Sequence, residues 1–312
     1  MTSIFITGGA GFIGYHLQKH LEKKHHIEAI DLFDTNNLSA QIRSSKLENI
    51  TQADINEDFL SNTKTKPQVI IHLAAETGIS GSLNNPKKYV TTNIDGTFNV
   101  LEQCRKNGIK HLIYASSSSV YSPNQKEMFE DSDIRNQLSF YGTTKKMGEI
   151  MIENYCKQFG INAIGLRFFT VYGSWTRTDM AAYKFMKAVQ SQQPITLYNQ
   201  GNVFRDFTHV SDIVKSIELL IDKIQLEPLG THQIFNIGYG NPVSVKKYAE
   251  LIAQNLEKEL IYQSYRLPQN ELESTHSNTL KLENYIHYKP QCAIEEGIKE
   301  MTDWFKKERY EQ

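Results

Sequence analysis

Cysteine is scarce in this chain: three in 312 residues, at Cys104, Cys156 and Cys292, far apart and without a CxxC. That spacing argues against a disulfide scaffold, and a reducing compartment, the cytoplasm, is expected. Charge of one sign is lacking as well. The formal net charge is −1 and no long Lys/Arg block occurs, so nucleic acid and anionic membrane are not expected as partners. No uninterrupted apolar run approaches the roughly 18–20 residues that span a bilayer. The opening "MTSIFITGGAGFIG" has neither a basic leader nor a small-residue cleavage site, so no secretory signal is expected. Of the ten histidines only His16 and His20 stand at HxxxH spacing and none at HxH, and no metal site is expected; His25 and His26 are expected in a solvated loop. There is no internal repeat. The one biased run is Ser116–Ser119.

What remains is globular in composition, with 39% hydrophobic and 22% charged residues, enough to bury a substantial core. Short apolar runs alternate with amphipathic segments through the first half. Strands are expected at 3–7, 27–32, 68–75, 111–116 and 161–168. Helices are expected at 11–24, 87–106 and around 143–159. Strand–helix alternation predicts an α/β fold, a doubly wound parallel sheet with right-handed crossovers and helices on both faces. After residue 168 the rhythm loosens. Helices are expected at 181–191, 211–224, 244–256 (with Ser244 as N-cap) and 293–308, and a strand at 232–238. The division predicted is a nucleotide-binding unit over 1–167, with a return segment around 205–238, interleaved with a smaller α/β substrate unit over 168–312.

Two motifs carry chemistry. "TGGAGFIG" (7–14) follows a strand and opens a helix. Gly8, Gly11 and Gly14 have the spacing that lets backbone approach a pyrophosphate, over the positive end of a helix. Asp31 closes the next strand, where a carboxylate accepts from the ribose hydroxyls of NAD and repels the 2′-phosphate of NADP. Asp54 either sits beside the adenine or is a plain loop acid. The second motif is "YGTTK" (141–145). Tyr141 and Lys145 share a helix face, and an ammonium beside a phenol lowers the phenol's pKa toward that of a usable base. Between the motifs, the serines of "YASSSSVYS" end a buried strand, where ligands sit in such sheets.

With "HLAA" (72–75), these segments resemble the extended short-chain dehydrogenase/reductase family, whose members modify nucleotide sugars, over nearly the whole chain. "LRFFTVYGSWTRTDMA" (166–181), "RDFTHVSDIVKSI" (205–217) and "YKPQCAIEEGI" (288–298) resemble, more narrowly, the UDP-glucuronate 4-epimerases. The resemblance implies that Gly8, Gly11, Phe12, Ile13, Gly14, Asp31, Asp54, Ile55, Ala74, Ala75 and Asn93 hold NAD, together with Tyr141 and Lys145. It implies Tyr141 as the base, Lys145 as the residue that tunes it, and Ser117 at the catalytic Ser/Thr position. Ser118, Ser119 and Thr170 would line the sugar, Arg177 would read a C6 carboxylate, and Arg205 would contact the diphosphate.

The activity implied is inversion at C4 of UDP-glucuronate through a transient 4-keto sugar, with NAD bound throughout as a catalytic cofactor. Decarboxylases that resemble it carry a Glu two residues past the catalytic Ser/Thr, and 4,6-dehydratases an Asp-Glu pair after it; Ser118 and Ser119 stand there instead. Departures from the pattern occur at Ser80, where an Arg is usual, and at Pro268-Gln269-Asn270, where "PGD" is usual. Another nucleotide-sugar epimerase, a 4,6-dehydratase and a non-catalytic NAD(H)-sensing protein are the alternatives. Trp175 either shapes the sugar pocket or packs. The family's habit of pairing two helices per subunit into a four-helix bundle implies a homodimer, through 87–106 and 143–159.

Overall fold

The computed structural model describes residues 1–33 and 38–308. Seven strands form one wholly parallel sheet: β1 (Ser3–Thr7), β2 (His26–Asp31), β3 (Ile50–Gln52), β4 (Val69–His72), β5 (His111–Ser117), β6 (Asn162–Phe168) and β7 (His232–Ile237). Their order is β7-β6-β5-β4-β1-β2-β3. The chain therefore runs one way from β1 to β3 and then returns to build outward from β4. The reversal lies between β1 and β4, and the crevice beyond their carboxyl ends is where ligands bind in such sheets. The doubly wound fold expected from the alternation is the fold observed. Central strands such as β4 and β6 are buried at every residue, which is why they read as near-continuous apolar runs.

Helices α1 (Phe12–Leu21), α2 (Gly96–Asn107), α3 (Phe140–Phe159), α4 (Ala181–Gln190), α5 (Val210–Ile224), α6 (Val245–Asn255) and α7 (Ile294–Glu308) supply most of the rest. One face of the sheet packs against α1 and α5 through Leu17, Leu21, Ile213, Ile217 and Leu220. The other packs through Val100, Leu101, Ile152 and Cys156 of α2 and α3. A separate apolar cluster joins α4, α6 and α7 through Phe185, Met186, Tyr248, Ile252, Met301 and Trp304. Short two-stranded pairings frame it. Thr170–Tyr172 runs parallel to Phe207–His209, and Ile195–Tyr198 parallel to Tyr262–Tyr265; Phe204–Arg205 is antiparallel to Val243–Ser244. Ser244 caps α6 as expected, its hydroxyl accepting from Lys247 N at 3.1 Å.

Two local expectations change, and the packing of a third residue, Trp175, comes into view. The segment 87–106 is not one helix. A turn of α-helix at Pro86–Tyr89 passes through a π-helical stretch, Val90–Asp95, before α2 begins. Wide turns of this kind occur where a side chain is re-aimed for use, and Asn93 lies in this one. The pair His25–His26 is a solvated loop only in part: His26 is exposed but starts β2, and His25, in the bend before it, has its Nδ1 buried without a hydrogen-bond partner. Trp175 packs, with its ring 5.3 Å from Trp304 and 5.5 Å from Tyr15. Among the described residues no helix is long and apolar enough to cross a membrane, and the three cysteines are unpaired.

Candidate active site

The crevice is floored by the turn between β1 and α1. Gly8 adopts φ +75°, and a Cβ there would lie 2.6 Å from Ala74 N, the backbone that leaves β4. A Cβ on Gly14 would lie 2.2 Å from Gly8 O, and one on Gly11 2.9 Å from the same oxygen. The three glycines thus let turn, helix and neighbouring strand meet backbone to backbone. Gly11 N donates to Gly8 O at 3.0 Å, which closes the turn. No side chain caps α1, so the N–H groups of its first turn, at Phe12 and Ile13, have no partner within the helix. Asp31, at the end of β2, accepts from Ala10 N at 2.9 Å and Leu32 N at 2.7 Å. Burial pushes its carboxyl up, and these N–H groups and Arg43 oppose the rise. Each carboxylate oxygen keeps a second lone pair. A Cβ-free cradle, open helix N–H groups and a carboxylate on the next strand are a fit for a dinucleotide.

The remaining residues expected at this end divide. Ala74 N is also tied from below, donating to Thr7 Oγ1 at 3.3 Å, and Ala75 follows it. Ile55 is buried against Gly96, where a Cβ would come within 2.4 Å of it. Asp54 spends its Oδ1 on Asn56, accepting from N and Nδ2 at 2.9 Å each. Asn93 faces inward from the π-helical turn. Its amide clamps the backbone of Glu76 (2.8 and 3.0 Å) and donates to Thr144 Oγ1 at 3.0 Å. Beneath the crevice His72 bridges Thr7 and Thr97 at 2.8 and 3.2 Å; burial holds it neutral, its pKa pushed down to about 3.

The serine run ends β5 and turns at once. Ser117 Oγ accepts from Ser119 N at 3.1 Å, opening a 3-10 turn over Ser118–Val120. Helix α3 starts directly against this turn, with Ser139 Oγ as its cap (3.1 Å from Gly142 N). A Cβ on Gly142 would lie 2.1 Å from Ser119 O, so glycine after Tyr141 lets the phenol reach the serines. Tyr141 is buried beside Ser117, its ring 6.2 Å from that of Tyr89. Burial pushes the phenol up, opposed by the Ser117 hydroxyl and the Arg177 charge. Lys145 sits one turn on, and its ammonium donates to Ala115 O, near the end of β5, at 2.9 Å, which leaves two of its three protons for other partners. Burial drops Lys145 to about 8, with Glu149 opposing. Ser116 belongs beneath the site: it donates to Glu149 at 2.5 Å, which pairs with the buried Arg167 at 2.8 Å.

The second half of the chain closes the crevice. Thr170 begins its short strand, its N–H donating to Asp206 O at 3.0 Å. Arg177 forms a two-pronged pair with Asp179 (Nε–Oδ1 2.9 Å, Nη2–Oδ2 2.5 Å) and donates through Nη1 to Thr77 Oγ1. Arg205 pairs with Glu271 at 3.0 Å and donates to the carbonyls of Phe204 and Leu272 at 2.9 Å each. Burial lowers its guanidinium and Glu271 opposes that. Glu271 also lines a cleft of about 760 Å³ with Lys126, Asn199, Arg266 and Gln269. Ser80 lies in the helix Ile79–Asn84 and forms no ion pair; the cation on that rim is Lys88, 2.9 Å from Glu76.

Several supporting residues escape a reading of the sequence. Asp206 is fully buried and accepts from Tyr239 N (2.9 Å), Gly240 N (3.1 Å) and Ser277 N (3.0 Å). Asp212 likewise holds the C-terminal segment, accepting from Tyr288 Oη (2.5 Å), Gln291 N and Cys292 N (3.0 Å each). Both lie in "RDFTHVSD": Asp206 stands between two short strands and Asp212 in the first turn of α5, and no spacing signal marks the first of them.

Comparison with known proteins points the same way as the geometry. The NAD dependent epimerase/dehydratase family matches residues 4–238. Protein CapI of Staphylococcus aureus is 38% identical, over 97% of this chain and 98% of its own length. A probable UDP-glucuronate 4-epimerase of Rhizobium meliloti is 33% identical, over 96% of each chain. Among solved structures, UDP-glucuronic acid 4-epimerase from Bacillus cereus, in complex with UDP-glucuronic acid and NAD, superposes with a TM-score of 0.88 at 30% identity, covering 97% of this chain and 99% of that one.

Proposed function

The chain belongs to the NAD dependent epimerase/dehydratase family, and from that membership we propose that it inverts C4 of a UDP-hexuronic acid, interconverting UDP-glucuronate and UDP-galacturonate. The observation that carries this reading is the Tyr141–Ser117 pairing at the carboxyl end of β5, with hydroxyls and not acids at 118 and 119. Tyr141 takes the proton of the sugar 4-hydroxyl and returns it. Ser117 bonds the same oxygen and holds it in line. Bound NAD would supply a reversible hydride acceptor, so that no net oxidation results. Gly8, Gly11, Gly14 and the first turn of α1 would receive its pyrophosphate, Asp31 its ribose, and Lys145 the ribose beside Tyr141. The hydrogen bond that holds the Lys145 ammonium to Ala115 O supports that last role.

Ser118, Ser119 and Thr170 offer hydroxyls to the sugar. They can hold a C6 carboxylate but cannot act as the carboxylic acid that elimination requires. Arg177 meets the C6 carboxylate and Arg205 the diphosphate. Closure of the second half over the crevice excludes water, which protects a 4-keto acid from side reactions. The division into interleaved units at 1–167 and 168–312 serves this closure, because Arg177 reaches from one to Thr77 in the other.

We also propose a homodimer through α2 and α3. Phe98 is 50% exposed and Ile150 58%, with Met147 beside them on the outer faces of these two packed helices. A second copy presenting the same pair buries that face as a four-helix bundle. Three unpaired cysteines suit the reducing cytoplasm.

The test is incubation of the purified protein with UDP-glucuronate and no added NAD, followed by product separation. UDP-galacturonate is expected. A pentose product with release of CO₂ would overturn the argument from Ser118 and Ser119.

A further inference from the structure

Arg177 has no free two-pronged edge on the side it would offer a ligand. Nε and Nη2, the fork that grips a carboxylate best, are held by Asp179, and Nη1 by Thr77. The pair as it stands is neutral, so a sugar carboxylate arriving there meets no net charge. Asp179 is the movable member. Its side chain is 58% exposed, against 30% for Arg177, and it sits on an irregular turn one residue before the N-cap of α4. That helix end has no side-chain cap. Lys184, on the first turns of α4, already acts on the Asp179 carboxylate. A rotation of Asp179 away from Arg177 therefore leaves it beside a cation and the positive end of a helix. Arg177 is the fixed member, tied across the crevice to Thr77 and near enough to Tyr141 to act on its phenol.

We propose that Asp179 is a specificity-determining residue: it occupies Arg177 until a substrate carboxylate displaces it, and so sets how strongly the site prefers a uronic acid to a neutral hexose. The inference rests on the proposed reading of the site as one for nucleotide-linked hexuronic acids. Its consequence is graded selectivity. A neutral sugar binds with the Arg177–Asp179 pair intact and loses nothing, whereas a uronate must break that pair to gain its own.

The test compares the wild type with Asp179→Asn, and with Asp179→Asn combined with Arg177→Met, in equilibrium binding of UDP-glucuronate and UDP-glucose. Turnover of UDP-glucuronate is followed in parallel. Asp179→Asn is expected to tighten UDP-glucuronate about tenfold, the scale of a partly solvated charge-assisted pair, with UDP-glucose changed less than about twofold. The double variant should lose the gain. Unchanged UDP-glucose binding also reports that the variant is folded. An unaltered or reduced preference for the uronate in Asp179→Asn overturns the proposal, as does any change that affects both sugars equally. Binding without turnover in the wild type would remove the proposed reaction while the ratio of affinities still decides the role of Asp179.

Discussion

The two ends of the crevice are built by different means. At the dinucleotide end the shape is backbone against backbone: Gly8 on Ala74, Gly14 on Gly8, Gly142 on the Ser119 carbonyl. At the sugar end it is side chain against side chain: Arg177 on Asp179 and Thr77, Arg205 on Glu271, Lys88 on Glu76. A backbone contact cannot give way, so the first end is a rigid cradle. Ion pairs that are partly exposed cost little to exchange, so the second can trade protein partners for ligand. One fold can hold one cofactor firmly and still be retuned for different sugars.

The largest expected effect falls where the two ends meet. Tyr141→Phe removes the phenol beside Ser117 and should lower kcat by about 10³-fold, within the range for loss of a general base. Binding of UDP-glucuronate should stay within about twofold, measured by calorimetry. Activity that survives the change would return the protein to a non-catalytic NAD(H)-binding role.

Next is the cradle. In Gly14→Ala the new Cβ meets a backbone oxygen at 2.2 Å, and neither α1 nor the turn can yield without parting from β4. Loss of co-purified NAD is expected, with turnover down by about 10²-fold at limiting cofactor, since 1.4 kcal/mol is a factor of ten in binding and steric strain of a few kcal/mol is typical. Full retention of NAD would show that the turn is softer than its contacts imply. Glu271→Gln, at the other end, is expected to do less. It frees Arg205, so KM for the UDP-sugar should shift by about fivefold while kcat holds, the scale of one half-buried pair.

The contrast also explains what could be read in advance. The cradle is local in sequence, since "TGGAGFIG" contains nearly every atom that shapes it, and Asp31 follows at the next strand end. Tyr141, Lys145 and Ser117 were legible because strand end and helix start bring short motifs together. The sugar end depends on partners far along the chain: Arg177 with Thr77, Arg205 with Glu271, Asp206 with Ser277. No spacing rule announces such pairs. The bond from Lys145 to Ala115 O was not legible, because its acceptor is a backbone atom just past the point, Tyr114, where β4 stops pairing with β5. The π-helical turn was hidden for a similar reason, because the demand for it comes from Asn93 reaching Glu76 and Thr144.

Two buried histidines carry the comparison into pH dependence. His72, under the cradle, is pushed down to about 3 by burial and the Lys145 charge. His209 lies between Ser211 (2.8 Å from Nδ1) and Glu300 (2.6 Å from Nε2, close but out of line for a directed hydrogen bond). Burial lowers it, but Cys292 and Glu300 outweigh that and hold it up at about 9. The unfolded chain titrates both near 6.5. For His72 the unfolded state binds more protons below that value, so its contribution is present above pH 6.5 and is lost as pH falls toward 3. For His209 the folded state holds the extra proton, so its contribution is full below pH 6.5 and is lost as pH rises through 9. Thermal unfolding across pH should therefore show an acid slope that flattens in His72→Asn and an alkaline slope that flattens in His209→Asn. Slopes unaffected by either substitution would mean that other groups set the pH range.

The smallest effect is expected at Asp54, and it is the sharpest check on the cradle's limits. The carboxylate stands one residue before the buried Ile55, close to where an adenine would lie, yet its Oδ1 is committed to Asn56 through two hydrogen bonds of 2.9 Å. Those bonds turn the loop after β3 without help from any ligand. Asp54→Asn keeps an oxygen for the Asn56 N–H and loses only a charge. NAD retention, read from the fraction of cofactor released on denaturation, should change by less than about twofold, as expected for a half-buried loop acid whose bonds are made within its own turn. A drop of tenfold or more would place Asp54 with Asp31 in the cradle and extend the rigid end of the crevice beyond the backbone contacts that define it.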